Sequence, residues 1–171
     1  MIFNYLIGLL ETSREITHTK YREAVRAVIF QDQKILLVQS NRGDYKFPGG
    51  GVEMDESHEA ALLREVAEET GYVNGMVIEK MGTVIERRPD KFQTDTIFQM
   101  NSHYYLCELN NEEKVAQKLD DYENEQDFTP KWVRIDEAIA ENRIILQQVK
   151  HNGWIRRENY VLNQLKKFYH F

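Results

Sequence analysis

The stretch GGVEMDESHEAALLREVAEETGY, running from Gly50 to Tyr72, decides how this chain is read. Within it Gly50, Glu56, Arg64, Glu65, Glu68, Glu69 and Gly71 follow the pattern G-x5-E-x7-R-E-V-x-E-E-x-G-Y. Ala60, Leu63, Val66, Ala67 and Thr70 recur every three or four residues, which predicts a helix between Ser57 and Thr70 with that stripe buried. Glu65, Glu68 and Glu69 then share one face, expected roughly opposite the apolar stripe. Crowded like charges cost an isolated helix about 0.2–0.5 kcal/mol per pair, and a divalent cation bound among them reverses that cost. Carboxylate oxygens select magnesium, manganese or calcium over zinc, with Mg2+ the default and Mn2+ a substitute. The five histidines (His18, His58, His103, His151 and His170) lack zinc-ligand spacing and receive no role. Arg64, beside Glu65 and four residues before Glu68, is placed to hold a carboxylate and keep it ionised. Gly71 ends the helix as a left-handed cap.

Seven fixed residue types at set spacings arise by chance in roughly one in a billion windows. The pattern resembles the signature of the Nudix hydrolase family, G-x5-E-x7-R-E-U-x-E-E-x-G-U with U bulky and aliphatic. Tyr72 is the one soft departure, and it bears on local packing. The preceding Phe47-Pro48-Gly49-Gly50-Gly51-Val52-Glu53 looks like the family's lead-in turn, and the resemblance covers roughly residues 22 to 140. It implies an α/β/α sandwich with a mixed β-sheet between helices. It also implies magnesium-dependent cleavage of a phosphoanhydride in a nucleoside diphosphate linked to another moiety, such as a nucleoside triphosphate, sugar nucleotide, dinucleotide or ADP-ribose. Carried over position by position, the resemblance makes Glu65, Glu68 and Glu69 metal ligands, joined by the Gly49 carbonyl. Arg64 orients the glutamates, and Glu56 supports the loop electrostatically or through a water. Arg64, Glu65, Glu68 and Glu56 form the expected catalytic set. The general base is left open between a glutamate of the signature and an acid on a later loop, for which Glu125 and Asp127 are the candidates.

At 171 residues the chain is expected to form one domain, with residues 1–21 an N-terminal extension and residues 142–171 C-terminal helices. Hydrophobic content of 42% and charged content of 29% mark a globular chain with a solvated surface. A net charge of -6 opposes polymeric nucleic acid as a partner but not a small anionic nucleotide held through a metal. The single cysteine, Cys107, excludes an internal disulfide and suits a reducing, cytoplasmic setting. Met1 to Leu10 is apolar but too short to span a bilayer and lacks a cleavage pattern, so it reads as a first strand or packing extension rather than a membrane element. A homodimer is left open.

Around the signature, Ala24–Phe30 and Ile35–Gln39 read as a hairpin, and 76–86 and 96–109 as strands joined by a polar loop at Arg87–Asp90. The segment 110–127 is polar and acid-rich, 132–135 extended. Asp136 is expected to cap a short helix, followed by helical spacing over 142–150 and 155–168. Arg26, Lys46, Arg87 and Arg88 are candidates for phosphate contact and Phe47, Tyr104 and Trp132 for base stacking, against the commoner roles of surface solvation and core packing. A competing reading keeps the fold as a nucleotide-sensing module without chemistry. The retained, mutually repelling glutamates favour the enzyme.

Overall fold

A computed structural model describes residues 1–8, 16–148 and 153–170. Leu9, Leu10, Val149, Lys150 and His151, which the sequence reading included, lie outside the described residues.

Two long β-rich runs form the centre: β2 (His18–Gln31) and β6 (Thr96–Leu109) pair in parallel from His18↔Thr96 to Ile29↔Cys107. β2 turns into β3 (Lys34–Gln39) through Asp32 and Gln33, whose φ values of 49° and 63° are the left-handed pair that a tight two-residue hairpin requires. β3 carries β4 (Tyr45–Lys46) and β7 (Thr129–Val133), both antiparallel. On the other side β6 pairs antiparallel with β5 (Gly75–Pro89), and the apolar N-terminal segment adds β1 (Phe3–Gly8) parallel to β5. The expected first strand is therefore present. The result is a mixed seven-stranded sheet of order β1-β5-β6-β2-β3-β4 with β7 on β3.

Alternation along β2 divides its side chains between two cores. Val25, Ala27 and Ile29 face α1 (His58–Thr70), packing on Ala61, Leu62 and Val66. Val28 faces the opposite layer with Phe47, Tyr104, Ile139, Leu162 and Leu165, under α3 (Ile135–Gln148) and α4 (Gly153–Tyr169). Helices on both faces make the expected α/β/α sandwich.

Three expectations change. Arg87–Pro89 belong to β5, so the connecting loop begins at Asp90. The expected short helix at Asp136 and the helical segment from Asn142 are one helix, α3. Asp136 lies inside its first turn, and the buried Asn142 ties it to the sheet by accepting from Tyr45 N and donating to Tyr45 O. In α1 the buried stripe is Ala61, Leu62, Val66, Glu69 and Thr70, rotated from the expected one, and Ala60 is exposed. The rotation puts Glu69 on the buried face because that face meets the glycine turn, whose polar groups satisfy a carboxylate. None of the described helices is long and apolar enough to cross a membrane.

Candidate metal centre

The glycine turn is fastened to β2 by its backbone. Ala27 N donates to Pro48 O at 2.8 Å, Val25 N to Gly50 O at 3.0 Å, and Val52 N to Glu23 O at 3.0 Å. Gly49 takes φ 137°, and a Cβ there would lie 2.1 Å from Val25 O. At Gly50 an added Cβ would lie 2.3 Å from Glu65 Oε1. The backbone thus approaches α1 as closely as a hydrogen side chain permits.

Ser57 caps α1, its hydroxyl accepting from Ala60 N at 3.1 Å, and Gly71 closes it at φ 82° with its N–H on Ala67 O. Across the exposed side of this helix Arg64 grips three carboxylates. Its Nε and Nη2 each donate to Glu56 at 2.9 Å, and its Nη1 donates to Glu65 at 2.9 Å and to Glu68 at 3.0 Å. Nη2 also reaches Gly51 O at 3.2 Å, tying helix to turn. The guanidinium hydrogen bonds hold the Glu56 carboxyl down at about 2.

Glu69 is fully buried, with one oxygen 2.5 Å from Lys46 Nζ and the other accepting from Gly49 N at 2.7 Å. Beside it stand Glu65 and Glu123, the latter on the short helix α2 (Asp121–Glu125), and one oxygen from each of the three carboxylates lies within 4.8 Å of the others. Burial, then the charge of Glu69, raises the carboxyl of Glu65 above its ordinary range. The same two causes push Glu123 up to about 7. An all-oxygen donor set whose charges repel when left alone fits a hard divalent cation.

The sequence-derived site residues separate into groups. Glu65 and Glu69 come together with Lys46, while Glu68 stays on Arg64, part-exposed and outside the three-carboxylate group. Glu125 and Asp127 are exposed and meet Asn41 instead, through the Glu125 carbonyl at 3.0 Å and the Asp127 carboxylate at 3.4 Å. Arg26 donates to the Gly49 carbonyl, so its guanidinium braces the turn, and the carbonyl named as a ligand is hydrogen-bonded in this arrangement. Phe47 is fully buried, edge-on to Tyr104 at 5.3 Å, and packs the core instead of offering a stacking surface. Arg87 lines a separate cleft, whose walls include none of the three carboxylates. Tyr72 fills its aliphatic position with an indole partner, Trp132 Nε1 donating to its hydroxyl at 2.9 Å.

Sequence reasoning missed Glu123, although a signal was present. Asp120-x-x-Glu123 is a capping box, formed here by Glu123 N on Asp120 at 2.8 Å and Asp120 N on Glu123 at 3.1 Å. It also missed a second group, Glu23, His58 and His103, in which Glu23 accepts from Asn101 at 2.6 Å and meets His103 at 2.5 Å. Sheet register brings Glu23 beside His103, and the docking of α1 adds His58; neither is visible in sequence spacing.

Fold and glutamate helix define a class: an α/β/α sandwich presenting a cation-sized carboxylate cluster at a glycine turn. A family model described as NUDIX domain matches residues 20–153, and the chain belongs to the Nudix family. It is 30% identical over 152 residues to Nudix hydrolase 4 of Arabidopsis thaliana, covering 81% of this chain and 64% of that protein. It is 47% identical over 57 residues to CTP pyrophosphohydrolase of Escherichia coli (strain K12), covering 30% of this chain and 42% of that one. The chain thus spans less than two thirds of the length of either relative. A solved Nudix hydrolase from Nitrosomonas europaea superposes with a TM-score of 0.54 at 26% identity, covering 85% of this chain and 91% of that one.

Proposed function

We propose that this protein hydrolyses a phosphoanhydride bond in a nucleoside diphosphate linked to another moiety, with Mg2+ as the working cation and Mn2+ as a substitute. The observation that carries this reading is the convergence of Glu65, Glu69 and Glu123 within 4.8 Å. The names of the two relatives, a Nudix hydrolase and a CTP pyrophosphohydrolase, support it. A divalent cation there supplies Lewis-acid charge against the anhydride oxygens and lowers the pKa of an attacking water.

The protein's own groups do the rest. Glu65, Glu69 and Glu123 hold the cation, with Glu68 at the rim. Arg64 fixes Glu65 and Glu68 in place through two hydrogen bonds, and Glu56 fixes Arg64 in turn. Lys46 and the Gly49 N–H hold the buried Glu69 carboxylate in place through one hydrogen bond to each oxygen. Water oxygen bonds to phosphorus, the bridging oxygen leaves with the departing phosphate, and a carboxylate accepts the water proton. Glu123 is the later-loop acid that stands at the cluster, and in this reading it takes the place considered for Glu125 and Asp127. The reading includes a small-molecule nucleotide substrate and a cytoplasmic setting, the latter resting on the lone, buried cysteine.

A panel of nucleotides incubated with Mg2+ or Mn2+, with phosphate and pyrophosphate release measured separately, tests the reaction. Cation-dependent cleavage of at least one nucleoside diphosphate derivative is the expected result. Absence of cleavage across the panel contradicts it.

A further inference from the structure

A cleft of about 790 Å³ opens beside the carboxylate cluster, within the size range of small-molecule sites. Seven cationic side chains line it against a single carboxylate, Glu86. That density of positive charge stands out in a chain of net charge -6. Arg157 answers Glu86 and also bonds Glu158 at 2.7 Å, while Arg88 lies over the Phe98 ring at 4.5 Å. The other five, Arg22, Arg42, Arg87, Lys91 and Arg156, form no ion pair with any described residue. Arg87 adds a sharper sign, because its Nε is buried without a hydrogen-bond partner.

The cleft adjoins the candidate metal centre on two sides. Arg22 Nη2 lies 3.2 Å from where a Cβ on Gly51 would stand, and Gly51 O is itself bound by Arg64. Tyr122 and Gln126 of the cleft wall flank Glu123 in sequence on α2 and its C-cap. A substrate whose anhydride sits at the glutamates therefore has its remote part directed into this concavity. An uncharged sugar or nucleoside there would leave five guanidinium and ammonium groups facing one another without counter-charge. Phosphate answers them, since guanidinium forks match its oxygens and each phosphate monoester carries a charge of about -1.5 to -2. Five cations call for about two to three such groups.

Resting on the hydrolytic reading of the glutamate cluster, we propose that this cleft binds the part of the substrate remote from the scissile anhydride. That part carries at least two phosphate groups of its own. The rings of Trp154, Tyr122 and Phe98 on the same walls accommodate the apolar faces of the scaffold that bears them. The preferred substrate is then a small polyphosphorylated compound and not a simple nucleoside diphosphate sugar.

The chain has two tryptophans, and Trp154 lines the cleft, so its fluorescence reports binding, with Trp154→Phe as the control that leaves only the Trp132 signal to be subtracted. In EDTA, inorganic tripolyphosphate should bind at least tenfold tighter than orthophosphate and weaken with added salt. The exposed Arg156 allows Arg156→Gln without disturbing the core, and that variant and Arg87→Gln should each weaken tripolyphosphate at least fivefold. In turnover, the ratio of kcat/KM for a dinucleoside tetraphosphate to that for ADP-ribose should fall at least fivefold in both variants. Equal affinity for the two inorganic probes, no effect of either substitution, or tighter binding of a single-stranded oligonucleotide overturns the proposal. Because the EDTA titration is independent of hydrolysis, loss of turnover with binding intact contradicts the catalytic reading alone and leaves the polyphosphate site supported.

Discussion

The Lys46 ammonium lies 2.5 Å from the Glu69 carboxylate, and this ion pair joins the glycine turn to the buried face of α1. The Glu69 side chain has no solvent exposure, and Lys46 and the Gly49 N–H take the place of water on its two oxygens. Removing one member of a buried pair strands the other, at a cost of about 3–5 kcal/mol. Lys46 keeps 15% exposure, which places the expected loss for Lys46→Met near the lower end, about 3 kcal/mol. Urea denaturation in EDTA measures it, and a loss under about 1 kcal/mol would contradict the assigned role.

Gly50 is required by space and not by backbone conformation. Its added Cβ would meet the tip of the Glu65 side chain at 2.3 Å, so Gly50→Ala displaces a carboxylate while the chain still folds. Turnover should fall by about a hundredfold, the scale of an ångström's misplacement at a reacting centre. Circular dichroism and thermal unfolding should stay close to wild type. Full activity in this variant would show that the position of Glu65 is unimportant.

The Glu56–Arg64 pair predicts an acid limb in stability. Glu56 is held down at about 2 in the folded protein by its hydrogen bonds from Arg64, against an ordinary value of 4.5. A depressed carboxyl binds fewer protons folded than unfolded, so its contribution is complete above 4.5 and is lost as pH falls toward 2. Denaturation free energy followed across that window should decline. Glu56→Gln should decline less steeply, and parallel slopes for the two proteins would contradict the pairing.

Cys107 should be silent in the native state. It is 2% exposed on β6, and burial pushes its thiol up to about 12. A colorimetric disulfide reagent at pH 8 should label it only at the rate of unfolding. Rapid labelling of native protein would contradict the burial of Cys107 beside Ile29 in the core layer under α1.

The glutamate helix, its glycine C-cap, the hairpin and most strands were legible because each is set by local chemistry: periodicity, turn residues and capping groups. Register was not. Whether α1 buries Ala60 or Ala61 depends on what it docks against, and the glycine turn accepts Glu69 where periodicity alone placed a small apolar face. Phe47 follows the same rule, since an aromatic beside a glycine turn looks ligand-facing until the α3–α4 layer closes over it. Glu123 stands 51 residues beyond Tyr72, the end of the signature, and only the docking of the intervening segment on α1, through Lys118 N on Glu68 O at 2.9 Å and Gln117 Nε2 on Glu69 O at 2.5 Å, brings it to the cluster.

The central claim is that Glu65, Glu69 and Glu123 together grip a divalent cation. Calorimetric titration of Mn2+ into the wild-type protein and into Glu65→Gln and Glu123→Gln tests it without reference to any substrate. The account predicts saturable binding in the wild type and at least tenfold weaker binding in each variant, with the fold retained. Wild-type protein that takes up no cation, or variants that bind as tightly as wild type, would contradict it.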